Sequence, residues 1–360
     1  MKKIKILLTI PNFDTAGSGK VLYDLAKGIN SERFEVHIAC SHSQGDFFKE
    51  VEALGMPIHI LETTVPLRPY WNIISRVEPF RNFVDKHGFD VVHSWHWSSD
   101  WSEVLGARLG HARFVYTKKA MTWGAVHWKV KSLLANYIIT INEEMKGYFP
   151  WKRQQQLIPL GIDTSYYSPE YFNKVRKSNF TIITVANLVP VKGIEVLIKA
   201  IHILKENNIN LQVLGDDRGD YANALKQQVT DLGLNSRIKF LGKHVDVRPF
   251  LAQADLYVIP TLNTGRKEGM PMALVEAMSM GLPVLGADIS GINFVLKAFR
   301  NSLFEANNSI DLVKHIELVK SKTEEERLRL GREFRDYVIS HFEMTSFISA
   351  HECLYTKLAK

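Results

Sequence analysis

The chain has 360 residues, 46% hydrophobic and 23% charged, a balance that excludes a disordered chain and suits two cores of about 150 to 200 residues each. No apolar run approaches the roughly 18 residues that a membrane-spanning helix requires. Its 45 Lys and Arg against 38 Asp and Glu give a net charge of +7, which favours phosphates, anionic lipid or nucleic acid without choosing among them; with no zinc-finger spacing and no aromatic RNA-binding signature, nucleic acid is not an expected partner.

The opening MKKIKILLTIPNF places lysines before an apolar stretch. Lys5 interrupts that stretch and no small-residue cleavage site precedes Pro11, so an opening strand is expected rather than a signal peptide. IKILLTI (4–10), EVHIACS (35–41), IHILE (58–62), DVVHSW (90–95), RFVYT (113–117) and YIITIN (137–142) read as strands. KVLYDLAKGIN (20–30) and FFKEVEALG (47–55) carry helical spacing between them. Such alternation implies a parallel sheet covered by helices on both faces. The polar and aromatic stretch DTSYYSPEYFNKVRKSN (163–179) interrupts the pattern. It then restarts with FTIITVAN (180–187), GIEVLIKAIHILKENN (193–208), LQVLG (211–215), YANALKQQVTDLG (221–233), IKFLG (238–242), DLYVIP (255–260) and PVLGA (283–287). The expected class is α/β: two doubly wound Rossmann-like domains, 1–165 and 180–338, facing a cleft at the carboxyl ends of their strands. Residues 166–179 read as the linker, and 339–360 as a final helix that could return to the first domain. Cys40 and Cys353 lie far apart and read as two reduced thiols of a cytosolic protein.

The segment richest in chemistry is PTLNTGRKEGMPMALVEAMSMGLPVLGADISG (260–291). There Glu268, Gly269, Met270 and Pro271 open a helix ending at Gly281, with Pro271 suited to the first helical position. Gly269 allows close approach of a ligand to the backbone, and amides at a helix start suit a phosphate. Glu276 falls between Val275 and Ala277 in an apolar helix, where an unpaired carboxylate is costly. If both acids face the cleft, Glu276 can hold a ribose diol and Glu268 can meet sugar hydroxyls. A first-turn acid and a solvated helix residue also satisfy the spacing.

Other signals are weaker. GSGKV (17–21) fails the phosphate-loop pattern at Asp14 and Val21, and the dinucleotide fingerprint at Leu22. No Asp-x-Asp occurs, and GDDRGD (215–220) lacks calcium-loop spacing. No metal and no cofactor are expected. HSWHWSSDW groups His93, His96, Trp95, Trp97 and Trp101 after a strand end, where His96 and Trp97 suit the acceptor side; Asp100 reads as a helix cap. KKAMTWGAVHWKVKSLL (118–134) combines four lysines with two tryptophans and an apolar stripe. That composition fits an interfacial helix against anionic lipid, and equally a loop and helix covering the first domain.

The segment EGMPMALVEAMSMGLPV resembles the E-x7-E signature of the retaining glycosyltransferases of family 4, which share the two-domain GT-B fold. The resemblance continues in register through AGSGKVLYDLA (16–26), IITINEEMKGYF (138–149), LIPLGIDTSYYSP (157–169), VANLVPVKGIEVLIKA (185–200), IKFLG and FLAQADLYVIPT (250–261). It implies that Glu276 binds the nucleotide ribose, and that Glu268 with the amides of Gly269 and Met270, beside Pro271, holds the transferred sugar. It implies that Lys192 neutralises the diphosphate leaving group and that Gly17 brings a loop near the phosphates or the acceptor. Three positions depart from the family pattern: Asn187 replaces an arginine, Lys119 a histidine, and Phe294 a glutamate. Lys118, Lys119 and Arg266 are the nearby sources of compensating charge. The implied activity is transfer from a nucleotide sugar, with UDP the expected base and GDP left open, to a saccharide or lipid-linked acceptor in surface glycan biosynthesis. The implied setting is cytoplasmic, at the inner membrane face, with peripheral contact to anionic lipid. The alternatives are an epimerase or hydrolase of sugar nucleotides on the same scaffold, and an inactive nucleotide-sugar-binding partner.

Overall fold

A computed structural model describes residues 2–14, 16–173, 179–206, 208–265 and 268–359. Two units divide the chain: Met1–Gly161 with Met344–Lys360, and Ile162–Glu343.

In the first unit the order is β1 (Ile4–Thr9), α1 (Ala16–Gly28), β2 (Phe34–Cys40), α2 (Asp46–Glu52), β3 (Ile58–Ile60), α3 (Ile73–His87), β4 (Val91–Ser94), α4 (Ser102–Leu109), β5 (Arg113–Lys118), α5 (Val126–Leu134), β6 (Tyr137–Thr140) and β7 (Gln155–Leu157). The sheet order is β3-β2-β1-β4-β5-β6-β7, parallel throughout. Ile6, Leu7 and Leu8 are all fully buried, so both faces of β1 are covered, as the unbroken apolar run requires. Strand order reverses between β1 and β4, where Leu7 registers with both His37 and Val92. Thr9 and Ser94 are paired at the carboxyl ends of those two strands.

The second unit runs β8 (Phe180–Val185), α6 (Ile194–Ile203), β9 (Ile209–Leu214), α7 (Asp220–Asp231), β10 (Ile238–Gly242), α8 (Arg248–Gln253), β11 (Leu256–Ile259), α9 (Met272–Ser279), β12 (Val284–Ala287), α10 (Ser290–Val295), β13 (Leu303–Phe304), α11 (Ser309–Lys320) and α12 (Glu324–Phe342). Its parallel sheet is ordered β10-β9-β8-β11-β12-β13, with the reversal between β8 and β11. The last helix, α13 (Met344–Leu358), belongs to the first unit. There the Tyr355 hydroxyl meets His93 Nδ1 at 2.5 Å.

Two boundaries differ from the sequence reading. The stretch expected to be a linker is tied to the second unit. Arg335 donates to the carbonyls of Thr164 and Tyr167, Ser279 Oγ to the Tyr167 carbonyl, and the Arg248 guanidinium lies 3.5 Å over the Tyr166 ring. Residues 174–178 of that stretch lie outside the described residues. The terminal pattern 339–360 is also two helices, because Glu343 is extended (φ −63°, ψ 138°) and bridges to Ile162. No Gly or Pro marks that break. An isolated bridge to a residue remote in sequence accompanies it.

Candidate active site

The second-unit residues singled out from the sequence gather where β8 and β11 end. Asn187 follows β8, exposed, and its carbonyl accepts the amide of Val189. Pro190–Lys192 then form a short 3-10 turn closed by Gly193 in the left-handed region (φ 65°). A Cβ at Gly193 would collide with the carbonyl oxygen of Pro260, just beyond β11. The glycine therefore lets the lysine turn press directly onto the end of the neighbouring strand. Leu262 closes the join by donating its amide to Val191 at 2.9 Å.

This packing delivers Lys192 Nζ to Glu268, which it contacts by a charged hydrogen bond. Both side chains keep about a fifth of their surface in solvent, 22% and 21%. Pro271 is extended (φ −77°, ψ 103°) and stands immediately before α9, one position earlier than the sequence reading placed it. Its ring fixes the entry into the helix while the amide it lacks is not needed. Met270 is buried, whereas Glu268 and Glu276 are half-buried. Gly291 of α10 backs the loop, since a Cβ there would meet the Glu268 and Gly269 carbonyls.

Glu268 and Glu276 converge electrostatically on one group. The Tyr257 phenol, fully buried in β11, has its ionisation pushed well up by burial and then by Glu276 and Glu268. Both carboxylates therefore lie within electrostatic range of the Tyr257 phenol. Phe294 is buried with its ring 6.1 Å from that of Phe342, so its side chain joins the core and brings no charge to the site. Arg266, a source of compensating charge in the sequence reading, lies outside the described residues.

The remaining candidates lie in the first unit. Gly17 stands exposed in the first turn of α1 with nothing near its missing Cβ. Trp97 is 41% exposed, and His96 is buried beside it. Lys119 donates to the Trp95 carbonyl and lies 5.6 Å over the Trp97 ring. Asp100 accepts the Ser102 amide at 2.8 Å from one residue before the cap position, which Trp101 occupies without a side-chain bond. His93 is consumed inside the core, between Tyr355 and Thr117.

The lysine-rich stretch does not present its charge as an interfacial helix does. Lys118 and Lys131 are fully buried, donating to the Thr122 and Ser98 carbonyls at 2.6 and 3.1 Å and lying over the rings of Trp128 and Tyr116. The tryptophan and tyrosine faces satisfy cations that the sequence pattern left free to meet lipid. Among the described residues, no helix is long and apolar enough to cross a membrane.

Sequence reading missed a buried polar group beside these lysines. Glu103, fully buried, accepts from Thr9, Thr63 and Ser94 and lies 3.6 Å from His96 Nε2. Its acidity works against burial, the largest influence, and is nonetheless strengthened by His96, Lys131 and the hydroxyl donors. The one available signal was a glutamate at the start of the otherwise apolar segment EVLGA. His37, His59 and His87 also place ring nitrogens within 4.8 Å of one another. That cluster is closed by its own bonds: His37 meets His59 at 2.9 Å and Glu35 at 3.0 Å, and the rings pack on Phe83 and Phe89.

Both units match known proteins. The family of glycosyl transferases group 1 matches residues 169–336, and glycosyltransferase family 4 matches 15–166. An Escherichia coli relative, UDP-Gal:alpha-D-GlcNAc-diphosphoundecaprenol alpha-1,3-galactosyltransferase, is 28% identical over 90% of this chain and 89% of its own. Among solved structures, a glycosyltransferase from Rickettsia africae superposes with a TM-score of 0.89 at 18% identity, covering 100% of both chains. HepE of Anabaena, solved with UDP and glucose, superposes at 0.80 and 19% identity, covering 98% of this chain and 99% of its own. Two parallel doubly wound sheets, the in-register sequence matches and these superpositions make the chain a glycosyltransferase of family 4 with the GT-B fold.

Proposed function

We propose that the protein transfers a hexose, with retention at the anomeric carbon, from a UDP-sugar to a saccharide or lipid-linked acceptor in surface glycan biosynthesis. The observation that carries this reading is the contact of Lys192 with Glu268, with Glu268 and Glu276 both within electrostatic range of Tyr257 in β11. Donor departure concentrates negative charge on a diphosphate, and a compact ammonium at Lys192 is suited to neutralise it. Before the donor arrives Glu268 holds that ammonium in place, so the charge is positioned in advance. Glu276 is suited to the ribose diol, and Glu268 with the Gly269 and Met270 backbone to the sugar. Asn187 leaves the diphosphate with a neutral neighbour where the family commonly has an arginine, which puts more of the load on Lys192.

UDP as the base is supported by the donor in the name of the Escherichia coli relative and by the UDP complex of HepE. A lipid-linked acceptor is supported by the same relative's name. That acceptor would bring the enzyme to the cytoplasmic face of a membrane, although the buried lysines leave peripheral contact to Lys129 and nearby apolar side chains.

Thermal unfolding with millimolar UDP, GDP or no nucleotide tests the site, on wild type and Glu276→Ala. A nucleotide at about 100 times its Kd stabilises by roughly 2.7 kcal/mol. A UDP shift that disappears in the variant supports the reading. Stabilisation by neither nucleotide overturns it. NMR of the product anomer then decides retention, and release of free sugar or an epimer without acceptor would favour a hydrolase or epimerase.

A further inference from the structure

The buried group in the first unit has a directional logic. Thr9 ends β1, Ser94 ends β4, Thr63 lies in the loop after β3, and Glu103 is the second residue of α4. Three separate segments thus converge on a carboxylate carried by a fourth, with no water-exposed surface. An ionised carboxylate only accepts hydrogen bonds. Thr9, Thr63 and Ser94 give it their hydroxyl protons, at 2.5, 3.0 and 2.5 Å. Thr63 has one proton, already committed to Glu103, so its oxygen faces His96 Nε2 at 3.1 Å as an acceptor. Nε2 must therefore carry hydrogen, and in a neutral imidazole the lone pair is then on Nδ1. No hydrogen bond to His96 Nδ1 is found among the described residues.

Burial, the largest influence on the basicity of His96, lowers it; Glu103 and Asp100 raise it, and Lys131 and Lys119 lower it further. Next to it in the chain is Trp97, 41% exposed, an aromatic face of the kind that covers the apolar side of a sugar ring.

Building on the transferase reading above, we propose that His96, held as the Nε2–H tautomer by Thr63 and Glu103, receives a hydrogen bond from the reacting hydroxyl of a saccharide acceptor at Nδ1. Trp97 supplies the stacking face. His96 and Trp97 touch the acceptor, and Thr63 and Glu103 are positioning residues. The hydroxyl is thereby turned so that its oxygen lone pair, rather than its proton, points away from His96.

The experiment combines two readouts on the full chain. The first is nitrogen NMR of histidine-labelled protein at pH 7, with His96→Gln to assign the ring. Protonated Nε2 and bare Nδ1 are expected; protonated Nδ1, or a doubly protonated ring, overturns the proposal. The second is transfer from UDP-galactose to a short-chain prenyl diphosphate bearing N-acetylglucosamine, in wild type, Thr63→Val and Thr63→Ser. Thr63→Val should lower acceptor kcat/KM about tenfold, the scale of one lost hydrogen bond to a reacting group. UDP affinity should hold, and Thr63→Ser should restore the rate. Unchanged acceptor kinetics in Thr63→Val, or equal loss of UDP and acceptor binding, overturns it. A wild-type chain that transfers from no sugar nucleotide to any acceptor sinks the transferase reading instead, and the ring-nitrogen readout still decides the His96 geometry.

Discussion

Lys192 and Glu268, 76 positions apart, form a charged hydrogen bond across the end of β11. The turn that carries the lysine reaches the glutamate because Gly193 has no side chain to meet Pro260. In a partly solvated place such a pair contributes little to stability, at most about 1 kcal/mol. In the proposed transfer its value is in catalysis. Lys192→Met should therefore leave the unfolding midpoint nearly unchanged while lowering kcat on the order of 100-fold, the usual cost of removing one charge stabiliser. Lys192→Arg should recover only part, because a planar guanidinium does not reproduce a compact ammonium. A variant that turns over at the wild-type rate would remove Lys192 from the chemistry.

Glu276→Gln retains the size and helix position of the side chain but halves its accepting capacity toward a diol. The expected outcome is weaker UDP binding, by about tenfold in calorimetric Kd for one charged hydrogen bond lost, with the nucleotide-free protein unfolding as before. An equal loss of stability without nucleotide would show instead that Glu276 serves the fold.

Gly291→Ala probes the support of the loop at Glu268 and Gly269, which the proposed reading sets under the sugar. The added methyl meets the carbonyls of Glu268 and Gly269, which are backbone atoms and cannot rotate away. We expect a stability loss of about 1–3 kcal/mol and a larger effect on donor binding than on nucleotide binding, because the loop is displaced under the sugar. Comparing the Kd for UDP-sugar with that for UDP separates the two.

His351 gives a pH dependence. It is fully buried on α13, its Nδ1–H donates to the Phe347 carbonyl at 2.8 Å, and its Nε2 has no partner. Burial pulls its pKa from 6.5 down to about 4. Between those values the unfolded chain binds a proton that the folded chain refuses, so stability is complete above about pH 6.5 and falls as pH drops toward 4. The shift of about 2.5 pKa units corresponds to roughly 3 kcal/mol at most. His351→Leu should make that acid limb shallower in urea unfolding between pH 7 and 4, with a remainder from His59, His87, His93 and His96, which are shifted in the same direction. An acid limb of the same slope in the variant would assign it to other groups.

The strands were legible because a strand buried on both faces needs an unbroken apolar run, and IKILLT and FTIITV offer no other use for one. The pair Glu268 and Glu276 was legible for a local reason too: the acids flank one helix start, and the E-x7-E spacing is a property of the chain. Helices α3 and α12 passed unnoticed, since α3 contains Pro79 and α12 is rich in charge at its start. The capping box of Thr323 and Glu326 at the start of α12 was present in the sequence and was not read.

By itself, then, the sequence determined what depends on neighbours within a few residues: apolar periodicity, the glycine turns, and the spacing of the two acids at the start of α9. Only the tertiary structure decided which charges leave water. Lys118 and Lys131 looked like a solvated or lipid-facing stripe and are buried against aromatic rings. Glu103 looked like an ordinary helix acid and is held by hydroxyls from three other segments. The reason is energetic: a buried charge is tolerated only where partners surround it at hydrogen-bond distance, and those partners come from parts of the chain whose proximity no local pattern records.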